Sequence, residues 1–401
     1  GEPLGEEEVR ATKKALGFGD APLFHVPEEV CIRIKKRCEE LEAEAMAWDK
    51  KMQDFLEKKP ESAKLAGKLL SKEVPENLLT ELLSATPKDK PVATRVSGGI
   101  VLNKVASLVP ALMGGSADLA PSTKTLIDKE PGFSAENRAG RNFHFGVREL
   151  GMGFLVNGMA LYGTSIPYAA TFFVFSDYMK PAIRLAAIQK LHLIYVFTHD
   201  SFYVGEDGPT HEPIEQIAML RTIPNLTVIR PAEAHEVAHA WNASLKNSNG
   251  PTAILLTRQN LDPLPAKFAE KIALEKGAYV LDDDAGFDLL LIASGSEVNL
   301  ALKSAELLRK EGRKVRVVSM PSMELFEKQD KTYRDSVLPS SCKKRVSIEA
   351  GTTYGWSKYV GENGLSIGLD HFGASAPFKV LAEKFGFTPQ AVVEKIIKHF
   401  K

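Results

Sequence analysis

The sequence has little cysteine, no excess charge of either sign and no long apolar run. Only three cysteines occur in 401 residues, Cys31, Cys38 and Cys342, and they form no CxxC pair. This scarcity favours a reducing, cytoplasmic compartment over a disulfide-linked secreted protein. Lys plus Arg and Asp plus Glu each number 51, so no overall charge attracts nucleic acid. No apolar run reaches the ~18 residues that indicate a membrane span, and neither nucleic acid nor a membrane is an expected partner.

The chain begins GEPLGEEEVR, without an initiator methionine. This acidic start does not resemble a signal peptide, and we expect the chain to be part of a longer protein or a processed product. Residues 1–85 are rich in Lys and Glu, and apolar residues recur at helical spacing from Glu28 to about Pro60. The mixed charge of this segment favours a solvated amphipathic connector over a nucleic-acid-binding or calmodulin-type helix.

From about residue 91, short apolar segments alternate with helical ones. The predicted strands are ALMGGSADLA, SIPYAATFF, LHLIYVFTHD, LTVIRPA and TAILLTR, followed later by DLLLIAS, KVRVVSMPS, RVSIEA and LSIGLD. Buried strands separated by helices predict an α/β fold with mainly parallel sheets flanked by helices. We expect a helical connector over 1–85, one α/β domain over 86–265 and a second over 272–401, with a linker within 261–271.

Polar side chains follow three of the predicted strands at the point where each strand ends. Ser116 and Asp118 follow the first, Thr198, His199 and Asp200 follow the third, and Arg258 and Gln259 follow the fifth. The carboxyl ends of parallel strands are where α/β proteins usually bind ligands, so these positions indicate a site. Helix capping would explain Ser116 or Asp118 equally well, but it explains His199 and Arg258 poorly.

The segment GEDGPTH, residues 205–211, is typical of a turn-rich loop. Asp207 and His211 could face one cavity from this loop. A competing motif, HEVAH at 235–239, has the HExxH spacing of a zinc peptidase. It lies in a segment that is typical of an amphipathic covering helix, and His371, the next histidine, is too distant along the chain to be a local third ligand. The interpretation as a covering helix is therefore favoured, and no metal ligands are predicted.

Several motifs together resemble those of transketolases, in the same order along the chain. They are GGSADLAPS, NFHFGVREL, ATFFVFSDY, THDS, GEDGPTHEP, LRTIPNLTVIRPA and LTRQNL, followed by ASGSEV, RVVSMPS, SIEAG and FGASAP. The resemblance runs from the first residues to the final helix. It implies a thiamine-diphosphate pyrimidine-binding domain followed by a transketolase C-terminal domain.

The resemblance assigns cofactor roles to five residues. Glu149 would hydrogen-bond N1′ of the aminopyrimidine ring and so activate thiamine diphosphate. Phe175 would stack on that ring, Phe172 and Tyr178 would line the same pocket, and Asp118 would lie near the thiazolium. Three aromatics at helical spacing would otherwise indicate core packing. The family often has His after the VRE triplet, where this chain has Leu150.

The resemblance also implies a sugar-phosphate site. Arg95, Ser122, His199 and Arg258 would bind the phosphate, since guanidinium groups suit oxyanions. Asp207 would contact a substrate hydroxyl. His211 would lie near the reacting carbonyl and assist proton transfer. The implied reaction is transfer of a two-carbon ketol unit from a ketose phosphate to an aldose phosphate.

The sequence contains no GDG motif, which in the family supplies the Asp that binds Mg²⁺. We therefore expect the N-terminal diphosphate- and Mg²⁺-binding domain to be absent, with only the pyrimidine side of the cofactor bound here. The resemblance implies a homodimer whose active site also uses the partner subunit's diphosphate-binding domain. On this interpretation the chain is inactive alone. Alternatives are part of another thiamine enzyme, such as a deoxyxylulose-phosphate synthase or a 2-oxoacid dehydrogenase β-chain, or a non-catalytic dimerisation fragment.

Overall fold

A computed structural model describes residues 2–87 and 89–401. The chain divides into two compact units, Gly1–Gly67 and Lys68–Lys401. Three helices occupy the first 71 residues: α1 Glu6–Ala15, α2 Glu28–Lys58 and α3 Pro60–Ser71. The predicted amphipathic helix is confirmed as α2, which begins after Pro27 and ends just before Pro60, where proline disfavours helix in the preceding residue. No side chain of α2 is buried.

The second unit contains two main sheets and the helices that cover them. Its helices are α4 Leu78–Ala85, α5 Thr94–Leu108, α6 Ala120–Thr123, α7 Glu149–Tyr162, α8 Ser176–Ile188, α9 Gln216–Arg221, α10 Ala234–Lys246, α11 Ala266–Ala269, α12 Glu297–Lys310, α13 Met323–Glu327, α14 Lys331–Val337, α15 Ser357–Val360, α16 Phe378–Phe385 and α17 Pro389–His399. Its strands are β1 Val92–Ala93, β2 Leu112–Ser116, β3 Asn142–His144, β4 Ile166–Phe172, β5 Ile194–Thr198, β6 Thr227–Ile229, β7 Thr252–Leu256, β8 Asn260–Leu261, β9 Tyr279–Asp283, β10 Leu289–Ala293, β11 Val315–Ser319, β12 Lys344–Ile348 and β13 Leu365–Ile367.

The first sheet is fully parallel, in the order β3-β2-β4-β5-β7-β6. Its central strands are buried on both faces, so alternate residues enter two different cores. Ile194 and Val196 of β5 pack in one core with Trp241 of α10. Tyr195 and Phe197, the alternate residues, pack in the other core with helices α7 and α8. The predicted α/β architecture is confirmed.

The second sheet has the order β13-β12-β10-β11-β9. Four strands are parallel and β9 runs antiparallel to β11 at one edge. The sequence prediction missed β9, the three-residue β3 and the two-residue pair β1–β8, because such short strands lack a clear apolar pattern. The predicted linker at 261–271 contains the short helix α11, whose Phe268 is buried.

Among the described residues, no helix is both long and apolar enough to cross a membrane. The longest helix, α2, has sufficient length but carries many charged residues.

Candidate active site

Arg95 and Arg258, 163 residues apart in sequence, are brought together at the carboxyl edge of the first sheet. Thr94, the first residue of α5, donates its backbone N–H to Thr257 Oγ1 at 3.0 Å. The Thr257 N–H in turn donates to Thr94 Oγ1 at 2.7 Å. This reciprocal pair fixes the amino terminus of α5 beside the end of β7, and so places Arg95 near Arg258.

Arg95 has polar neighbours but no carboxylate partner among the described residues. Its Nη1 donates to the Ser122 backbone oxygen at 2.8 Å and lies 3.5 Å from His199 Nε2. Its Nε is buried without a partner. Burial, followed by the charge of Arg258, lowers the pKa of Arg95. Two cations that repel each other without an intervening acid favour binding of an anion at this position.

His199 is held as a neutral imidazole. Arg95 can only donate a hydrogen bond, so Nε2 accepts and Nδ1 carries the proton, which it donates to Thr198 Oγ1 at 2.8 Å. Burial, then the charges of Arg95, Arg258 and His211, lowers the pKa of His199 to about 3. Its backbone φ of +62° lies in the left-handed region. A non-glycine residue there indicates strain, which is often found at functional sites.

Acid should therefore destabilise the protein partly through His199. Because its folded-state pKa lies below the ordinary value of about 6.5, its contribution to stability is complete above pH 6.5 and is lost as the pH falls toward 3. The loss is at most ~5 kcal/mol. Replacing His199 with Asn should flatten this part of the pH profile of the unfolding free energy, measured by urea titration between pH 7 and 4. An unchanged profile would show that the pKa of His199 is the same in the folded and unfolded protein.

Four rings form a continuous stack that begins at His199. The Phe172 ring lies 3.7 Å from the His199 ring, centroid to centroid. Phe175 lies 6.1 Å from Phe172 and Tyr178 lies 6.1 Å from Phe175, with near-parallel planes. His211 meets Phe175 edge-on at 5.7 Å. Phe173, which lies between Phe172 and Phe175 in sequence, is buried in the core, whereas Tyr178 is 63% exposed. The stack therefore presents aromatic surface rather than filling the core.

Glu149 begins α7 and is partly buried, and no contact joins it to the stack among the described residues. The helix places it on the same side of the sheet, because α7 and α8 both begin at the carboxyl edge and pack together. A β-carbon at Gly153, one turn after Glu149, would lie 2.7 Å from the Ala182 methyl group of α8. The first turn of α7 therefore lies beside the helix that carries Tyr178.

Asp118 and Asp207 are exposed. Asp118 follows β2 with a left-handed φ of +62°, and no contact joins it to the stack in the described part of the chain. Asp207 lies in the 205–211 loop with His211, whose Nδ1 is 2.9 Å from Thr210 Oγ1. The structure thus groups six of the predicted residues directly, namely Arg95, Phe172, Phe175, Tyr178, His199 and His211. Arg258 joins them through its charge and Ser122 through its backbone oxygen.

Asp200 does not belong with His199, although the two were grouped at the end of one strand. Its carboxylate accepts from Arg230 Nε at 2.8 Å. Arg230 is fully buried and also pairs with Glu297 of α12. Glu349, which follows β12, binds Arg221 at 2.7 Å, and these contacts hold the pKa of Glu349 at about 2 against its burial. No sequence pattern predicts this buried network, because its members lie on separate elements.

The HEVAH segment forms part of α10, as the covering-helix interpretation predicts. Glu236 is fully buried and accepts from the Tyr279 hydroxyl, from Ser319 Oγ at 2.7 Å and from the Ala232 N–H at 2.7 Å. His239 Nδ1 lies 3.9 Å from Glu275. Glu236 thus has a structural role in the core. The described residues contain no cluster of three His, Cys, Asp or Glu side chains able to hold a metal.

Comparison with known proteins gives three family matches along the chain. Residues 90–263 match the transketolase pyrimidine binding domain and residues 277–388 match the transketolase-like C-terminal domain. A chloroplastic transketolase from Craterostigma plantagineum is 45% identical over 98% of this chain and 76% of its own length. The chain belongs to the transketolase family. A transketolase from Aquifex aeolicus is 47% identical over 99% of this chain and 58% of its own length.

Solved transketolase structures have the same fold as this chain. The transketolase from Leishmania mexicana superposes with a TM-score of 0.90 and 38% identity, over 99% of this chain and 58% of that one. This family member thus spans about three-fifths of the length of the bacterial relative and of that structure.

One expectation about domain content was wrong. Residues 1–75 match the transketolase thiamine diphosphate binding domain, whereas this domain was expected to be absent. The error arose because this region lacks the GDG motif and its Lys/Glu-rich helices are typical of a connector. The expected inactivity, and the restriction to the pyrimidine side of the cofactor, depended on that absence and lose their basis with it.

Proposed function

We propose that this transketolase-family chain forms the substrate side of an enzyme that transfers a two-carbon ketol unit between sugar phosphates. The observation that supports it most directly is the pair of arginines Arg95 and Arg258, which have no acidic partners among the described residues and lie beside the neutral His199. Guanidinium groups donate hydrogen bonds to phosphate oxygens, and His199 would contribute to phosphate binding by orienting Arg95 through its acceptor Nε2. The Ser122 hydroxyl lies on the neighbouring α6 and completes the proposed phosphate site.

The aromatic stack fits an aminopyrimidine ring. Phe175 offers a ring between two near-parallel aromatic neighbours, and Phe172 and Tyr178 would border the bound ring. Glu149, at the start of the helix beside α8, would hold a proton at the ring nitrogen, and Asp118 would lie near the thiazolium. When bound, thiamine diphosphate would supply the nucleophilic carbon that accepts the ketol unit. The described residues offer no set of three His, Cys, Asp or Glu side chains that could hold a metal ion.

The remaining roles follow from position. His211, edge-on to Phe175, would lie close enough to the cofactor to donate or accept a proton at the substrate carbonyl. Asp207, on the same loop, would accept a hydrogen bond from a sugar hydroxyl. The stack of rings would exclude water from one side of the reacting carbon.

The phosphate assignment is tested by Arg258→Leu. Losing one charge-assisted contact of about 1.5–3 kcal/mol should raise the KM for a ketose phosphate roughly 10- to 100-fold. The KM for the corresponding unphosphorylated ketose should stay the same. Arg184→Leu, at an exposed position of α8, is the matched control. An equal rise for both sugars would contradict a phosphate contact at Arg258.

We further propose that a homodimer forms through α7, with the partner's diphosphate-binding region completing each site. An apolar groove follows this helix and is lined by Phe143, Phe154, Leu155, Met159 and Tyr162, among others. Leu155 is 58% exposed and Tyr162 is 82% exposed. Contiguous exposed apolar surface of this kind marks an interface, and a two-fold dimer can bury one such patch against its copy.

The dimer proposal is tested by Leu155→Glu. A charge on each copy at a self-complementary interface should raise the dimer dissociation constant by at least tenfold, since burying unpaired carboxylates costs several kcal/mol. Analytical ultracentrifugation over a concentration series measures this constant. Val380→Glu, 42% exposed on α16, should leave it unchanged. Equal effects of both substitutions would argue against the α7 face.

A further inference from the structure

The 205–211 loop, which carries Asp207 and His211, rests on the 372–378 segment that precedes and begins α16. The Ser375 hydroxyl donates to the Glu206 backbone oxygen at 2.6 Å. A β-carbon at Gly208 would lie 3.2 Å from that of Ser375, and one at Gly205 would lie 3.3 Å from the Ala376 oxygen. Both glycines also have positive φ angles, of +78° and +86°. The loop therefore fits closely against this segment and is positioned by it.

Glu212, the residue after His211, fills the joint between the two segments. It is only 3% exposed, and neither carboxyl oxygen has a hydrogen-bond partner of normal geometry among the described residues. The backbone N–H groups of Gly205 and Ala374, one from each segment, are the donors that act on it electrostatically. Its carboxyl group also abuts Gly373, where a β-carbon would overlap it. The Glu212 side chain therefore contacts both the 205–211 loop and the 372–378 segment.

The surroundings of Glu212 disfavour its charged form. Burial, with a smaller contribution from the nearby Asp207, raises the pKa of Glu212 to about 7, although the N–H groups of Ala374 and Gly205 lower it. Asp370 is bound by the hydroxyl groups of Thr352 and Thr353. Besides Asp207 and Asp370, the titratable groups on the segments around Glu212 are Glu206, His211 and His371. An ionised Glu212 must therefore be accommodated near acids in a site with little access to water.

We propose that Glu212 is a positioning residue whose carboxyl group stays buried between the 205–211 loop and residues 372–378 only when it is protonated, and whose ionisation releases that loop. The inference rests on the proposed function only where it gives Asp207 and His211 a part in substrate binding. The contact itself is a property of this chain and is measurable without cofactor or substrate.

Hydrogen exchange of the chain at pH 6 and pH 8, corrected for intrinsic rates, tests the contact. For a carboxyl with an ordinary pKa in the open loop and about 7 in the closed one, linkage predicts that exchange in 205–211 and 372–378 increases about tenfold between these pH values. Glu212→Gln keeps the size and hydrogen-bonding capacity of the side chain but cannot ionise, so its corrected rates should not change. Strand amides report whether each variant is folded, and Glu306→Gln, at an exposed position of α12, is the control. Equal pH responses in the original chain and Glu212→Gln would overturn the proposal.

A kinetic measurement separates this proposal from the proposed function. If the loop positions substrate groups, the KM for a ketose phosphate should rise between pH 6 and 8 in the original protein and stay constant in Glu212→Gln, with kcat little affected. A pH-dependent loop with a constant KM would support the contact and contradict its role in substrate binding. Ketol transfer that is absent in both proteins, with the exchange difference present, would refute the proposed function and leave the contact intact.

Discussion

Replacing Glu149 with Gln should reduce ketol transfer by a factor of 10² to 10⁴, the range typical of a lost general acid–base group. Gln has nearly the shape of Glu but cannot exchange a proton with the ring nitrogen. The aromatic stack from Phe172 to Tyr178 is unchanged by the substitution, so thiamine diphosphate should still bind. The expected result is therefore a large fall in kcat with little change in the cofactor dissociation constant.

Two measurements test whether Glu149 acts in catalysis or in cofactor binding. Steady-state kinetics at saturating cofactor give kcat, and quenching of protein fluorescence gives cofactor affinity. Glu306→Gln, the same chemical change at an exposed position of α12, should leave both values unaltered. A near-normal kcat in Glu149→Gln would show that Glu149 does not take part in cofactor activation. It would also contradict the role proposed for the first turn of α7.

Replacing Arg230 with Ala should lower the free energy of unfolding by about 3–5 kcal/mol, because it leaves two buried acids without their cation. Arg230 is fully buried and pairs with Asp200 at 2.8 Å and with Glu297, and it donates to the Ser294 backbone oxygen at 2.9 Å. Those contacts raise the pKa of Arg230 despite its burial. Since domain stabilities are typically ~5–15 kcal/mol, such a loss would be severe.

The control for Arg230 is an arginine whose ion pair is accessible to solvent. Arg334 pairs with Glu327 at 3.1 Å and its side chain is 38% exposed, so Arg334→Ala should cost less than about 1 kcal/mol. Chemical denaturation at pH 8 measures both. The loss of unfolding free energy in Arg230→Ala should be smaller at pH 5, because protonation of Asp200 and Glu297 removes the unpaired buried charge. A loss that is the same at both pH values would contradict this explanation.

Regular elements of the fold were predictable wherever a strand was buried on both faces. Segments such as LHLIYVFTHD and TAILLTR are continuous apolar runs that end in polar residues, and they form β5 and β7 of the parallel sheet. Short edge elements such as β3 and β9 were not predictable, because two to five residues with mixed burial give no periodic signal. The register and order of the strands likewise depend on tertiary packing.

The candidate site was predictable as a set of residues but not as an arrangement. That Arg95 lies beside His199 follows from the Thr94–Thr257 pair, which neither local sequence suggests. His199, on which Phe172 stacks, has a left-handed backbone, a conformation that is uncommon for residues other than glycine and that no local sequence pattern predicts here. For Asp200 the sequence prediction was wrong. Although Asp200 is the next residue after His199, its carboxylate pairs with the buried Arg230 instead of facing the site.

The central claim is that this protein moves a two-carbon unit between sugar phosphates, and one labelling experiment tests it most directly. The protein is supplied with thiamine diphosphate, Mg²⁺, a ketose phosphate carrying ¹³C at C1 and C2, and an unlabelled aldose phosphate. Nuclear magnetic resonance should show both labelled carbons, still bonded to each other, at C1 and C2 of the new ketose phosphate. Glu149→Gln should slow their appearance. The contradicting result is that the label stays in the donor ketose although the protein binds the cofactor and decarboxylates a 2-oxo acid. Such a protein would be a thiamine enzyme that does not transfer ketol units.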